Sequence, residues 1–299
     1  MEDSLLFGME KRLRELDPAL HRRFTDEVPA VWNMLFRYKR YFPEYNDHSG
    51  LHSMGVIEYC SLLAGEDQVP CLNGDELYVL LMSCLLHDAG MGISPEEFEE
   101  FIGRLDLEEY FRKEGRVPRD RIIRDFHQEF SALLIDRYAD FLELPSPEHL
   151  FAVKQVVRGH RKADLFDAGE FPSDFMVPGG SRICLPYLAL LIRLADEIDV
   201  TSLRSTDLLY DVGSFESPDQ VFYYKRTRAC RKVEVTGDAI ILHVRTGDPA
   251  VEEGLEKMRE KIQGTLDLCR EAAEKRTPFK VTQSRVILKE SQGDPAEET

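Results

Sequence analysis

The chain has 299 residues, 43% of them hydrophobic, which is enough apolar material to bury one large core or one core with a small appended unit. Its formal net charge of −17 opposes nucleic-acid binding in bulk, although a local basic strip could outweigh the net charge at short range. No segment has the order of a signal peptide and no apolar run reaches the ~18 residues that cross a bilayer, so we expect a cytoplasmic protein without membrane association.

Taken in chain order, the first two thirds of the sequence predict a helical body. Residues 1–16 are charged and weakly patterned, which is typical of an arm or a docking helix. Apolar residues at helical spacing then predict a helix over 19–41, ended by Pro43. The irregular stretch 163–181 is either a wall or lid of the functional site or an ordinary surface loop. Further helices are predicted near 50–65, 74–88, 95–102, 106–114, 118–142, 147–158 and 185–204.

The last third of the chain predicts a small unit that mixes strands with one helix. Residues 232–244 alternate around a Thr-Gly-Asp turn, which predicts a β-hairpin. One apolar stripe predicts a helix over 249–275, and a strand is predicted over 284–289. The predicted division is therefore an arm, a helical domain, a small α+β extension and a disordered tail, at 1–16, 17–205, 206–290 and 291–299.

The dipeptide His87-Asp88 follows an apolar run, residues 77–86, that predicts a buried helix. Gly90 and Gly92 then end the helix, so the imidazole and the carboxylate are delivered into the interior at a helix end. A buried carboxylate costs several kcal/mol unless it is paired or coordinates a cation. A metal ion is the simplest way to stabilise this arrangement.

Four more candidate ligands surround this dipeptide at intervals of about 33 to 40 residues, roughly one helical hairpin each: His52, His127, His160 and Asp196. His127 shares the inward stripe of its predicted helix, and His160 follows a helix end at which Gly159 is predicted to be a left-handed cap. Four imidazoles and two carboxylates suit one or two divalent ions such as iron, manganese, nickel or zinc, with magnesium also possible. A structural zinc would more often recruit paired cysteines, and the six cysteines show no CxxC spacing.

This ordered set of histidines and aspartates resembles the ligand pattern of HD-domain metal-dependent phosphohydrolases, over roughly residues 30–205. Its segments are similar to those of small bacterial HD hydrolases of nucleotides and dinucleotides. The polar start at 45–52 and the carboxy-terminal extension look more like the HD domains found beside chaperone-type ATPases. The resemblance implies a mainly α fold, in which an HD-domain helical bundle carries the small α+β unit.

The resemblance to the binuclear branch of this family also implies roles for the candidate ligands. A first metal ion is expected to be held by His52, His87, Asp88 and Asp196. A second ion would share Asp88 with His127 and His160, and Asp88 and His127 are the expected catalytic residues. Water activated by the cations would attack phosphorus. Arg161 follows His160 where many binuclear members have a further histidine or threonine, and the Gly-Tyr-Pro sequence of cyclic diguanylate hydrolases is absent, which disfavours that substrate.

The function that the resemblance implies is hydrolysis of a nucleotide phosphoester or phosphoanhydride. The alternatives are a non-catalytic HD module that senses a nucleotide or docks a partner through the carboxy-terminal unit, and, as a third hypothesis, a di-iron oxygenase. A homo-oligomer formed through the same unit is a further expectation.

Basic residues near the candidate ligands are expected to include phosphate contacts, with ordinary salt bridges as the alternative: Arg124, Arg158, Arg161, Lys162, Arg193 and Arg204. The basic strip 225–232 could contact a phosphate tail, a nucleic acid or an acidic face of a second subunit, or it could be a solvated edge strand. His48 lies one turn before His52 and is interpreted as a loop residue, with a substrate contact as the alternative.

Overall fold

A computed structural model of the protein describes residues 8–42, 48–201 and 218–291. These residues form a mainly α fold, as predicted, with a small sheet near the carboxy terminus. The helices are α1 (Gly8–Leu16), α2 (Pro18–Leu35), α3 (Gly50–Gln68), α4 (Gly74–Leu86), α5 (Pro95–Ile102), α6 (Glu108–Glu114), α7 (Arg119–Arg137), α8 (Ala139–Leu142), α9 (Pro147–Gly159), α10 (Leu185–Ile198), α11 (Pro218–Ala229) and α12 (Pro249–Arg276). The strands are β1 (Phe175–Met176), β2 (Arg182–Ile183), β3 (Cys230–Val235), β4 (Ala239–Val244) and β5 (Arg285–Glu290).

Helix α4 lies at the centre of the helical body. Asn73 and Glu76 form a reciprocal cap at its start, and every residue from Glu76 to Leu86 is buried because α1, α2, α3 and α9 pack around it. The helix therefore places the dipeptide that follows it inside the protein. No single helix in the described ranges is long and apolar enough to cross a bilayer. One pair, Gly74–Gly92 with Pro95–Ile102, meets the criteria of length and composition only when joined across a bend of 100°.

Residues 8–16 form a helix that packs on the helical body, which favours the docking-helix alternative over a free arm. Met9 and Leu13, one turn apart on α1, are fully buried, and α1 packs on α2 and α4. A stripe of only two residues is too short to identify from sequence. Two predicted helices are also divided, because α2 continues as a 3₁₀ turn over Phe36–Arg40 and α7 ends before α8 begins. Pro43, the predicted end of the first helix, lies outside the described residues.

The carboxy-terminal unit contains the predicted hairpin, long helix and strand. Strands β3 and β4 pair antiparallel, and β5 pairs parallel with β4, so that β4 is central in the sheet. Helix α11 was not predicted, and the basic strip 225–232 is not an edge strand throughout. Residues 225–229 of this strip are the end of α11, and residues 230–232 are the start of β3.

Helix α12 joins this unit to the helical body by packing along α10. Its apolar stripe, which includes Met258, Ile262 and Cys269, is buried, and Cys269 Sγ lies 3.6 Å from the carbonyl oxygen of Leu190 in α10. The partner helix α10 ends two residues after Asp196. The packing of α12 therefore brings the carboxy-terminal unit beside the candidate metal ligands.

Candidate metal centre

The turn that carries His87 and Asp88 is held against α7. The Ser131 hydroxyl donates to the carbonyl oxygen of His87 at 2.6 Å and accepts from the amide of Gly90 at 2.8 Å. Gly90 allows this approach, because a Cβ there would lie 2.2 Å from the carbonyl oxygen of His127. The backbone contact brings His127 beside the dipeptide, and a break in helical geometry at Phe126 immediately precedes it.

His160 follows the end of α9, but the predicted role of Gly159 is wrong. Gly159 is the last residue of α9 and does not have the positive φ of a left-handed cap. Instead, α9 and α10 approach so closely that a Cβ at Gly159 would lie 2.5 Å from the Cβ of Ala189. The glycine thus allows the end of α9 to pack against α10, the helix that carries Asp196.

The first group of candidate ligands contains two histidines and two aspartates. The Nε2 atoms of His52 and His87 are 3.1 Å apart, and Asp88 Oδ2 lies 3.4 Å and 3.3 Å from them. Asp196 Oδ1 is 3.2 Å from His52 Nε2. Both histidines and Asp88 are buried, whereas the side chain of Asp196 is 16% exposed. These four residues come from α3, the end of α4 and α10.

The second group lies on the other side of Asp88. His127 Nε2 and His160 Nε2 are 2.9 Å apart, and Asp88 Oδ1 lies 3.4 Å from His127 Nε2. The carboxylate of Asp88 therefore has one oxygen directed at each histidine pair. The oxygen Oδ2 is buried and has no hydrogen-bond partner among the described residues. The structure thus brings all six candidate ligands around one carboxylate.

Hydrogen bonds at Nδ1 determine which ring nitrogen of each histidine faces the centre. Three rings bond a backbone carbonyl oxygen through Nδ1, at 2.9, 2.7 and 2.5 Å for His87, His127 and His160. The fourth, His52, bonds Asp199 Oδ2 through Nδ1 at 2.6 Å. Since these partners only accept, we assign the hydrogen to Nδ1, which leaves each Nε2 with a bare lone pair. Two lone pairs about 3 Å apart repel each other unless a cation lies between or beside them.

The ionisation states also suit a metal site. Burial raises the pKa of Asp88, but His87 and His48 outweigh it and hold the pKa well below its ordinary value. Burial likewise raises the pKa of Asp196, but the neighbouring His52 and His87 outweigh it and hold the pKa well below its ordinary value. Burial lowers the pKa of His127, and burial with the charge of neighbouring His127 and His87 lowers that of His160 further. Ionised carboxylates and neutral imidazoles are the forms that bind metals.

Within the described chain, two groups of residues have ligand atoms close enough to hold a metal ion: His52, His87 and Asp88, and Asp88, His127 and His160. The buried oxygen of Asp88 without a partner and the facing lone pairs fit a divalent cation. Nitrogen and oxygen donors without cysteine suit iron, manganese, nickel or zinc, and do not distinguish among them.

A cavity of about 420 Å³ opens onto this centre. Asp88, His127 and Asp196 line it, so the candidate ligands are reachable from outside. His48 lies in the loop before α3, as predicted, and lines the cavity with its ring centroid 5.8 Å from that of His52, which favours the alternative of a contact at the site. No residue of 163–181 lines the cavity, so this stretch is not a wall of the site.

Two of the predicted phosphate contacts, Arg124 and Arg161, line the cavity. For Arg158 and Arg193 the contacts favour a structural role over a phosphate contact. Arg158 pairs with Glu129 at 2.8 Å, and the buried Arg193 donates to the backbone carbonyls of Gly159 and Ala163 at 2.8 and 2.6 Å. Arg193 therefore holds the chain that follows α9 against α10 and does not face the cavity.

The two other predicted phosphate contacts are not at the cavity either. Lys162 is exposed, and its Nζ lies 5.3 Å from the ring centroid of Phe126 instead of lining the cavity. Arg204 lies outside the described residues.

Sequence reasoning missed two groups of residues at the site. Asp199, which bonds His52, lies one turn after Asp196, and this i, i+3 spacing was a usable signal. Residues of α11 and α12 form part of the cavity wall, and no local pattern marks them because the contact depends on packing across α10.

A buried cluster of histidines and aspartates at the end of a central helix defines an HD-type domain. The model of the family described as HD-CE matches residues 42–278, and the chain belongs to this family. The matched range includes the candidate ligands and both α11 and α12. Comparison with curated proteins found no match, and comparison with solved structures found none either.

Proposed function

We propose that this protein is a metal-dependent phosphohydrolase that cleaves a phosphoester or phosphoanhydride of a nucleotide. The observation that carries the proposal is the arrangement around Asp88, where two pairs of histidine Nε2 atoms lie about 3 Å apart beside a buried carboxylate oxygen that has no hydrogen-bond partner among the described residues. A protein held together without a cation would not favour such an arrangement, because each feature costs free energy.

The ligand roles follow from the two groups of residues. One ion would be held by His52, His87, Asp88 and Asp196, and a second by Asp88, His127 and His160. Divalent cations at such a site lower the pKa of bound water and neutralise charge on phosphoryl oxygens. The chain itself supplies orientation, because each Nδ1 bond keeps its imidazole in one tautomer and one direction.

Other groups at the cavity would bind substrate. Arg124 and Arg161 present guanidinium groups, which suit phosphate oxygens, and His48 lies beside Asp88 and His52 where it could contact a reacting group. A volume of about 420 Å³ is within the ~300–1,000 Å³ range of small-molecule sites and suits a nucleotide. The access of the cavity to Asp88 favours an enzyme over a non-catalytic module.

The proposal is tested by measuring the metal content of the purified protein by mass spectrometry. A panel of nucleotides, dinucleotides and a generic phosphodiester is then assayed with that metal restored. We expect one or two equivalents of a transition metal and turnover that a chelator abolishes. Stoichiometric metal without turnover of any phosphate ester would contradict the proposed hydrolysis and favour the sensing or docking module. A cytoplasmic location, a homo-oligomer and a protein partner stay predictions.

A further inference from the structure

The cavity has a second wall, which comes from the carboxy-terminal unit. Tyr223 and Arg226 of α11 and Lys257 and Lys261 of α12 line it together with the metal-centre residues. The HD-CE match includes both helices, so the wall belongs to the same family unit as the candidate ligands. A site made from both units can contact two parts of one bound molecule.

The charge of the cavity differs from that of the chain. Acidic residues outnumber basic ones by 55 to 38 in the sequence, whereas the cavity is lined by five arginines and lysines and three acidic residues. Two of these acids, Asp88 and Asp196, belong to the candidate metal centre. The third, Glu197, is 2.7 Å from the ammonium group of Lys261. The remaining positive charge favours an anionic ligand with more than one charged group.

Arg226 is the residue of this wall whose polar group most clearly lacks a partner. Its Nε is buried and has no hydrogen-bond partner among the described residues. The guanidinium carbon lies 4.9 Å from the ring centroid of Tyr223, which favours a fixed orientation of the guanidinium plane. A buried N–H without an acceptor costs about 1–3 kcal/mol. Because Arg226 also lines the cavity, its guanidinium group lies beside any anion that binds there.

The two lysines of the wall differ from Arg226. Lys257 and Lys261 are 71% and 63% exposed, and each is paired with a glutamate, at 2.5 Å and 2.7 Å. They add positive potential at the cavity mouth but have no unsatisfied buried group. The planar guanidinium of Arg226 is therefore the better candidate for a directional contact with phosphate oxygens.

We propose that Arg226 forms an anion subsite that binds a phosphate group adjacent to the one that reacts at the metal centre. This inference rests on the proposed function and deepens it, because it specifies the substrate class. The substrate carries a diphosphate or a longer phosphate chain, as in a nucleoside diphosphate or triphosphate, and a monophosphate leaves the subsite empty.

The test compares the binding of two non-hydrolysable probes by calorimetry: methylenediphosphonate, which has two phosphorus groups, and methylphosphonate, which has one. The full-length protein is used with its own metal. Arg226→Gln is expected to weaken binding of methylenediphosphonate by about tenfold or more and binding of methylphosphonate by less than about threefold, since one charged hydrogen-bond pair is lost only with the first probe. Thermal unfolding of the variant checks that it folds.

The matched control is Arg228→Gln. Arg228 lies on the same helix and stacks on Tyr224 with its guanidinium carbon 5.8 Å from the ring centroid, but it does not line the cavity. The Arg228→Gln substitution should leave the binding of both probes unchanged. If Arg226→Gln does not fold, Arg226→Lys keeps the charge and loses the planar fork, and a selective loss for methylenediphosphonate is again expected.

Equal losses for the two probes, no loss for either, or the same selective loss in Arg228→Gln would overturn the subsite. These outcomes are separate from failure of the proposed function. Selective binding that depends on Arg226, without hydrolysis of any nucleotide, would keep the subsite and contradict the hydrolase. Hydrolysis of a nucleotide together with probe binding that does not depend on Arg226 would support the hydrolase and contradict the subsite.

Discussion

The two walls of the cavity are built in different ways. At the metal centre, the histidines are buried and each ring is oriented by a hydrogen bond at Nδ1. On the α11 and α12 side, the lysines are exposed and pair with glutamates, and among the described residues that line this wall only Arg226 has a buried polar atom without a partner. The first wall is suited to holding an ion in one fixed geometry. The second is suited to attracting and releasing a charged molecule.

Replacement of the central carboxylate should have the largest effect. Asp88→Asn keeps the shape of the side chain but removes the negative charge that both histidine pairs share. We expect activity to fall about 1,000-fold, equivalent to about 4 kcal/mol, with metal content reduced and the fold retained. Steady-state kinetics, metal analysis and circular dichroism measure the three quantities. Full activity together with full metal content in this variant would show that Asp88 is not a metal ligand.

The next prediction compares the packing around Gly90, next to the candidate ligands, with the packing around Gly264 in α12. Gly90→Ala places a Cβ against the backbone of α7, 2.2 Å from the carbonyl oxygen of His127, and should destabilise the fold by about 3 kcal/mol or more. Gly264→Ala, in α12, meets no atom within 4 Å and should stabilise it by about 0.5–1 kcal/mol. Urea unfolding measures both. Similar effects of the two substitutions would contradict the difference in packing.

A smaller loss is expected from the carboxylate that orients His52. Asp199→Asn removes the charge of the Nδ1 partner at 2.6 Å and should weaken metal binding by about 10- to 100-fold, measured by competition with a chelator. The control is Asp75→Asn, which alters another histidine–aspartate pair, His149 Nε2 to Asp75 at 2.8 Å, away from the cavity. Equal metal affinity in the two variants would argue against a role for Asp199 at the centre.

The smallest expected effect is the pH dependence of the free energy of unfolding of the metal-free protein. Burial lowers the pKa of His127 and His160 from 6.5, the ordinary value expected in the unfolded chain. Below that pH the unfolded chain binds more protons than the folded one, so the free energy of unfolding falls as the pH falls. The slope is at most about 1.4 kcal/mol per pH unit for each histidine. Urea unfolding between about pH 7.5 and 5.5 measures it.

His160→Gln removes one of the two titrating groups and should flatten this pH dependence. A wild-type stability that is constant or rises toward acid would show that the two histidines are not buried as neutral rings.

Much of the fold was predictable because burial leaves a local periodic signal. The apolar run before His87 indicated the central helix, and the alternation at 232–244 indicated the hairpin, because both patterns extend over neighbouring residues. Short or weakly periodic elements gave no such signal, which is why α1 was only one of two alternatives for residues 1–16 and α11 was not predicted.

By itself, the sequence determined the order and types of the candidate ligands and the helical body that carries them, since these depend on residue identity and local spacing. Only the tertiary structure decided which basic side chains line the cavity. Arg193 lies on the same helix as Asp196 but donates to the backbone carbonyls of Gly159 and Ala163, whereas Arg226 is 30 residues beyond Asp196 and lines the cavity. The physical reason is that a side chain's direction and its neighbours across α10 are set by helix packing, which local sequence does not encode.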